Sequence, residues 1–146
     1  MTSKKQISKL LFKYFTSKDA VALAYLFGSV VSGDRHALSD IDIGVLLKPD
    51  AVFNLDDQLS LITDLRKLLD FDHVDLSLLN DAAPLLKFEV VQNGELVFVT
   101  DDEIRCDFEV RARQEYFDIQ PLLELQYEYM LQRIKEGDFA RKHVKN

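Results

Sequence analysis

Two short apolar runs, Val21 to Phe27 and Ile41 to Leu47, constrain the fold of this chain more than any other feature. Runs of this length that end at a turn residue, as the first does at Gly28, are typical of β-strands buried in a sheet. The second run nevertheless contains Asp42, and Asp40 immediately precedes it. Since an unpaired carboxylate is costly in a strand that packs on a core, this pair of aspartates needs an explanation beyond packing.

Helical periodicity surrounds and separates these two strands. The predicted order is a helix capped by Thr2 or Ser3, the first strand, a short helix after Gly28, the second strand, a helix capped by Asn54, an alternating strand from His73 to Leu79, a helix capped by Asp81, a strand from Glu95 to Val99, and helical sequence from Asp101 to Glu136. This order predicts an α/β fold, in which helices pack on one sheet of about four strands.

The C-terminal region has two apolar stripes, which we expect Pro121 to separate by dividing or kinking the helix. The first stripe is Phe108, Ala112, Tyr116 and Ile119, and the second is Leu122, Leu123, Tyr127, Met130, Leu131 and Ile134. Packing onto the sheet domain is the commoner role of such stripes, and a protein partner is the alternative. Residues 138–146 are polar and basic, and we expect them to fray.

Composition excludes several classes of function. The formal net charge of −7 argues against a protein that grips a DNA or RNA template through many phosphates. A single cysteine, Cys106, excludes a disulfide framework and fits the reducing cytoplasm. No apolar run approaches the roughly 20 residues of a membrane span. We therefore expect a cytoplasmic, single-domain protein that is not bound to membranes.

Asp40 and Asp42 lie on the same face of the second strand, because side chains alternate along a strand. Their Cα atoms are then about 7 Å apart, so that oxygens of both can converge on one cation or a close pair. Mg²⁺ takes oxygen ligands and favours sites that also hold phosphates. The pair alone leaves another interpretation open, with Asp40 as a cap and Asp42 facing solvent.

The Gly28-Ser29 turn strengthens the metal interpretation. It follows one strand and opens a short helix, where free N–H groups and a hydroxyl can receive an anion. Gly28 allows a phosphate to approach the backbone closely. An ordinary turn with Ser29 as a helix cap is the alternative. If the two strands are neighbours, however, a phosphate site and a carboxylate pair meet at one edge of the sheet.

Asp75 is the third candidate carboxylate. It lies in the alternating strand, on the same face as His73 and Ser77, whereas Asp70 and Asp72 fall in the loop before that strand. If this strand lies beside the Asp42 strand, Asp75 completes a triad that could hold two metal ions, an arrangement suited to phosphoryl transfer.

Gly28-Ser29, ten residues, then Asp40-Ile41-Asp42 resembles the signature of the DNA polymerase beta-like nucleotidyltransferase superfamily. The chain is similar in particular to the minimal nucleotidyltransferase antitoxins of HEPN/MNT toxin–antitoxin modules, whose toxins are small all-helical ribonucleases. This resemblance implies a mixed sheet and an antitoxin that transfers AMP from ATP to a tyrosine of its HEPN toxin. The resemblance covers roughly residues 5 to 100. We therefore expect a catalytic domain over residues 1–100, C-terminal helices over 101–137 that pack on it and whose apolar stripes make a possible partner surface, and a basic tail over 138–146.

The resemblance also implies roles for individual residues. Gly28 and Ser29 would hold the β- and γ-phosphates of ATP. The metal ligands would be Asp40 and Asp42 for both Mg²⁺ ions, with Asp75 on the catalytic ion and beside the acceptor hydroxyl. Many relatives have Arg-Gly where this chain has Ser32-Gly33, and Arg35 or, less directly, His36 could contact the triphosphate instead.

Two other functions remain open at this stage. The chain could neutralise a toxin by binding alone, for which the C-terminal stripes are the motive. It could also be a small-molecule nucleotidyltransferase of the antibiotic-modifying kind, although those relatives usually carry a larger second domain. A template-directed polymerase is disfavoured by the acidic charge and the short chain.

Overall fold

The structure, a computed structural model, describes residues 3–33 and 40–144 of the chain, with side chains described as far as residue 137. The helices are α1 (Lys4–Thr16), α2 (Ser29–Ser32), α3 (Leu55–Leu69), α4 (Pro84–Asn93) and α5 (Asp102–Val144), with a 3₁₀ turn at Leu79–Asp81. The strands are β1 (Val21–Phe27), β2 (Ile41–Leu47), β3 (Val74–Leu78) and β4 (Glu95–Val99).

The four strands form one mixed sheet in the order β3-β2-β1-β4. Strand β1 runs antiparallel to both β2 and β4, whereas β2 and β3 are parallel and are joined through α3. This confirms the predicted α/β fold with about four strands. The parallel pair is the arrangement that places the start of β2 beside the start of β3.

Helices cover both faces of β1, and so every residue of this strand is buried. One core cluster joins Ala24 and Leu26 to α1 and α3, and the other joins Leu23 and Tyr25 to α4 and the first part of α5. Tyr25 also donates a hydrogen bond of 2.6 Å to Glu109 of α5. The central strand is therefore buried on both sides, as its uninterrupted apolar sequence predicted.

Two helix starts agree with the predicted caps. Ser3 caps α1 in a capping box with Gln6, and Asn54 caps α3 in a capping box with Asp57. Each box satisfies two backbone N–H groups that the helix itself leaves free. The alternative cap, Thr2, lies outside the described residues.

The predicted cap of α4 was wrong. Asp81 belongs to the 3₁₀ turn, and α4 begins at Pro84 after Ala83, which makes no side-chain cap. Two features favour this start. Proline lacks the N–H that a cap would satisfy, and the side chain of Asn80 exchanges hydrogen bonds of 2.9 and 3.1 Å with the backbone of Leu47.

The predicted division at Pro121 was also wrong, since α5 is one helix from Asp102 to Val144 with the proline inside it. Proline removes one helical hydrogen bond, and helical sequence on both sides carries the helix past it. The backbone of residues 138–144 is helical as well, and the expected fraying of this tail stays a prediction. The division of the chain near residue 100 stays a prediction. In the part of the chain that the structure describes, no helix is long and apolar enough to cross a membrane.

Helix α3 provides a test of which face holds the core. Leu65 is fully buried, whereas Leu59 on the same helix is about half exposed. We expect Leu65→Ala to lower the free energy of unfolding by about 2–5 kcal/mol, because it leaves a cavity. Leu59→Ala should change it by less than about 0.5 kcal/mol. Urea denaturation followed by circular dichroism measures both, and equal losses would contradict this packing.

Candidate active site

The β-sheet brings Asp42 and Asp75 together. Asp42 pairs with Phe27 of β1 on one side and with Asp75 of β3 on the other. The neighbouring Ile41 and Ile43 are buried on the opposite face of β2. The predicted adjacency of the two acidic strands is therefore confirmed, and both carboxylates lie at one edge of the sheet where β1 ends and β3 begins.

These carboxylates repel one another. Partial burial, the charges of Asp75 and Asp40, and a hydrogen bond with Asp75 together raise the pKa of Asp42 well above its usual range, to about 6. Burial is the largest of these causes. Like charges held this close favour either a proton or a cation between them. A divalent cation would supply the positive charge that the site lacks.

Asp40 lies at the same edge but faces another partner. Its Oδ1 is 3.8 Å from Nδ1 of His73, and both side chains are exposed. Within residues 3–33 and 40–144, no three His, Cys, Asp or Glu side chains converge as a ready metal cluster. The three aspartates of the expected triad therefore lie at one edge of the sheet, but their carboxylates do not converge on one position. Because Asp40 is exposed, its carboxylate can turn toward Asp42 without disturbing the core.

His73 had no assigned role in the sequence, although it shares a face with Asp75. Its carbonyl accepts a hydrogen bond of 2.7 Å from the N–H of Ile41, which begins the pairing of β2 with β3. The alternating pattern of the third strand was the signal that placed it there. The side chain of His73 faces Asp40, and its backbone fixes the point at which β2 begins to pair with β3.

The Gly28 turn packs directly against Asp42. Gly28 has φ 77° and ψ −151°, and a methyl group added there would overlap Oδ2 of Asp42. Its carbonyl accepts hydrogen bonds of 3.1 Å from the N–H groups of Val31 and Ser32, which form the single turn of α2. Ser29 is therefore the first residue of α2 and not its cap, which is Gly28.

The remaining candidates lie elsewhere. Asp70 ends α3 in a left-handed conformation, with φ 48°, and Asp72 is exposed in the loop that follows. Neither of these two pairs with β2, so the structure favours Asp75 over both rivals. Arg35 and His36 lie outside the described residues.

Comparison with known proteins identifies the family. Residues 9–103, more than half of the chain, match the family model described as polymerase beta, nucleotidyltransferase. The chain belongs to this nucleotidyltransferase family. The matched residues include the Gly28 turn, the Asp42 strand and the Asp75 strand. The resemblance seen in the Gly-Ser and Asp-x-Asp residues is thereby confirmed.

Comparisons with individual proteins show which members of this family the chain is similar to. The chain is 42% identical over 84 residues to a protein named protein adenylyltransferase MntA from Shewanella oneidensis, a match that covers 56% of this chain and 58% of the relative. The chain thus spans less than two thirds of that relative. A solved toxin–antitoxin structure with AMP-PNP matches with a TM-score of 0.72 and 28% identity, over 85% of this chain and 98% of the other.

A second solved structure belongs to the same group. It contains a tri-AMPylated Shewanella oneidensis HEPN toxin in complex with an MNT antitoxin. The match has a TM-score of 0.63 and 28% identity, and it covers 87% of this chain and 94% of the other. These likenesses confirm the resemblance to MNT antitoxins and the nucleotidyltransferase type of sheet.

Gly28 can be tested against a matched glycine. Gly33 has a similar backbone angle, φ 86°, but a methyl group there would meet no atom within 4 Å among those described. Gly33→Ala therefore reports backbone strain alone, about 1 kcal/mol or slightly more. We expect Gly28→Ala to lower the free energy of unfolding by about 2–4 kcal/mol, because it adds a clash with Asp42. Equal losses in thermal unfolding would show that the turn does not press on Asp42.

The raised pKa of Asp42 predicts a gain in stability when its charge is removed. A carboxyl whose pKa is higher in the folded state loses stability as the pH rises from about 4 through 6. At a pH above that range, and in the presence of a chelator, Asp42→Asn should have a free energy of unfolding about 1 kcal/mol higher than that of the parent, after allowance for solvent screening. Thermal unfolding measures this difference. Asp50→Asn, in the exposed turn after β2, is the control. A variant less stable than the parent at pH 8 would contradict the repulsion.

Proposed function

We propose that this chain is a Mg²⁺-dependent protein adenylyltransferase and the antitoxin of a HEPN/MNT module. It would transfer AMP from ATP to a tyrosine of its HEPN toxin and so neutralise it. The observation that carries this proposal is the Asp42–Asp75 pair packed against the Gly28 turn. The 42% identity to a protein adenylyltransferase and the likeness to toxin complexes support it.

The donor set fits the divalent cation that this chemistry uses. Asp42 and Asp75 offer hard oxygen ligands whose mutual repulsion a cation would relieve, and the exposed Asp40 can join them. These three aspartates would hold two Mg²⁺ ions. When bound, the ions supply positive charge that orients the triphosphate and stabilises the developing charge on it.

The Gly28 turn would hold the donor nucleotide. Gly28 has no side chain and lies against Asp42, so a phosphate can approach the backbone beside the carboxylates. Ser29 begins α2 and would present its N–H and hydroxyl to the β- and γ-phosphates. The phosphates would then be held in contact with the carboxylates of Asp40, Asp42 and Asp75.

The transfer itself needs a hydroxyl nucleophile and a proton acceptor. The oxygen of the acceptor tyrosine would form a bond to the α-phosphorus as the bond from that phosphorus to the pyrophosphate oxygen breaks. The products are AMP-tyrosine and pyrophosphate. Asp75 is exposed at the edge strand, where it would position the acceptor hydroxyl and receive its proton. Since ATP is the donor, we propose that the protein acts in the cytoplasm.

Neutralisation by binding alone is the second candidate. The exposed apolar side chains on the distal part of α5 favour it, because such a surface suits a protein partner whether or not AMP is transferred. The Asp40→Ala/Asp42→Ala protein separates the two candidates in co-expression with the toxin. Full protection by that variant would show occlusion, and loss of protection would show that transfer is required.

The central test compares two aspartates. Asp42→Ala should reduce AMP transfer to the toxin by about a thousandfold or more, because it removes a group that would hold both metal ions. Asp72→Ala, in the loop before β3, should leave transfer within about twofold of the parent, since a surface change of this kind perturbs little. Intact-mass spectrometry of the toxin detects the added AMP. Transfer by the parent should also stop in EDTA and return with Mg²⁺.

Retained transfer by Asp42→Ala would exclude this metal site. Transfer to an aminoglycoside, with none to protein, would instead favour the antibiotic-modifying class. Loss of activity in Asp72→Ala, with the protein still folded by circular dichroism, would indicate that the third metal ligand is Asp72 in the loop and not Asp75 on β3.

A further inference from the structure

One face of α5 is buried in the domain at its beginning. Phe108 and Ala112 belong to the core cluster beneath β1. One turn further on, the ring of Tyr116 stacks on that of Phe88 from α4, with ring centres 3.8 Å apart and planes within 8°. Ile119, which follows on the same face, is half-buried. The packing of α5 on the domain thus fades over these turns.

The same face continues beyond the point where the domain stops covering it. From Ile119, residues at intervals of four, seven and four along the chain are Leu123, Met130 and Ile134, a spacing that keeps one helix face. Leu123 is half-buried, whereas Met130 and Ile134 are exposed by 50% and 54%. An apolar stripe that begins in the core therefore runs into solvent without a change of sequence pattern.

Other apolar side chains widen this stripe into what we call the distal patch. The distal patch consists of Leu122, Leu125, Tyr127, Tyr129, Met130 and Ile134, all of them half exposed or more. At about 100° per residue, these six side chains spread over roughly 200° of the helix circumference. A helix packed on one surface carries a stripe only slightly wider than about 100°. The distal patch is therefore wide enough to be covered from two sides.

We propose that the distal patch docks in an apolar groove between helices of the HEPN toxin. This inference rests on the proposed function and gives it the surface through which the acceptor protein is held. A groove between two helices covers an apolar helix from two sides, which a single flat surface cannot do. Tyrosine and methionine, which supply three of the six side chains, are enriched at protein interfaces.

The net charge of the whole chain favours the same partner. The distal segment is itself mixed in charge, with Glu124 and Glu128 against Arg133 and Lys135, but the chain has a formal net charge of −7. A ribonuclease must present basic groups to the phosphates of RNA, so it is complementary in charge to this acidic chain. A second copy would instead bring two chains of the same negative net charge together. The continuous stripe, its width and the net charge of the chain thus point to one occupant.

Docking and AMP transfer would use different residues. None of the six side chains in the distal patch belongs to the proposed catalytic edge, which lies on β2, β3 and the Gly28 turn. Removing the distal patch should therefore weaken capture of the toxin and raise the KM for toxin. The rate of transfer at saturating toxin should change little.

The test uses the whole chain and the HEPN toxin that the proposed function assigns to it. In the docking variant, Met130→Gln and Ile134→Gln replace exposed apolar groups with a good helix former. In the control, Gln132→Ala and Lys135→Gln alter the polar side of the same helix. Calorimetry without ATP should show toxin binding weakened by more than about 30-fold in the docking variant and by less than about threefold in the control. Both should keep the thermal midpoint of the parent.

Three outcomes would overturn the inference. The docking variant could bind toxin as tightly as the parent, the parent could fail to bind the toxin at all, or the parent could sediment as a dimer that the docking variant abolishes while toxin binding persists. Failure of the proposed function looks different. In that case the parent would bind the toxin through the distal patch yet transfer no AMP, and the docking inference would stand alone.

Discussion

The repulsion between Asp42 and Asp75 is the constraint around which this fold is arranged. The parallel register of β2 and β3 sets the two carboxylates side by side, and the Gly28 turn closes in on one of them. On the opposite face of β2, Ile43 and Val45 are fully buried, and this apolar packing offsets the cost of the charged edge. An arrangement that is unfavourable for the isolated chain becomes favourable once a cation lies between the carboxylates.

The sequence predicted β1 and β2 to the residue, because short, mostly apolar runs that end at turn residues leave a buried strand few alternatives. Asp75 could be ranked above Asp70 and Asp72 from alternation alone, but its position opposite Asp42 depended on which strands are neighbours. That information lies in the topology. The failed cap at Asp81 has a similar cause, since hydrogen bonds between Asn80 and distant Leu47 hold the 3₁₀ turn.

Helix α5 also shows that local sequence does not specify which tertiary neighbours a segment has. The apolar periodicity before Pro121 and after it looks alike in sequence, yet Ala112 is buried and Met130, on the same helix face, is 50% exposed. Local pattern indicates that a face needs covering, and only the tertiary structure shows how far the domain covers it. Pro121 was expected to interrupt the helix. An interior proline costs about 3 kcal/mol through a lost hydrogen bond and a ring clash, yet the helical sequence on both sides continues through it in a helix of 43 residues.

The position of Asp75 on an edge strand has a consequence for water. Asp75, Asp40 and Gly28 are all exposed, so solvent reaches the edge where the phosphates would lie. Displacing that water strengthens every electrostatic interaction at a phosphoryl-transfer centre and protects ATP from wasteful hydrolysis. An acceptor protein that settles over this edge would displace it. The acceptor protein would then form part of the wall of the active site. The low dielectric constant that favours the reaction would exist only in the complex of the two proteins.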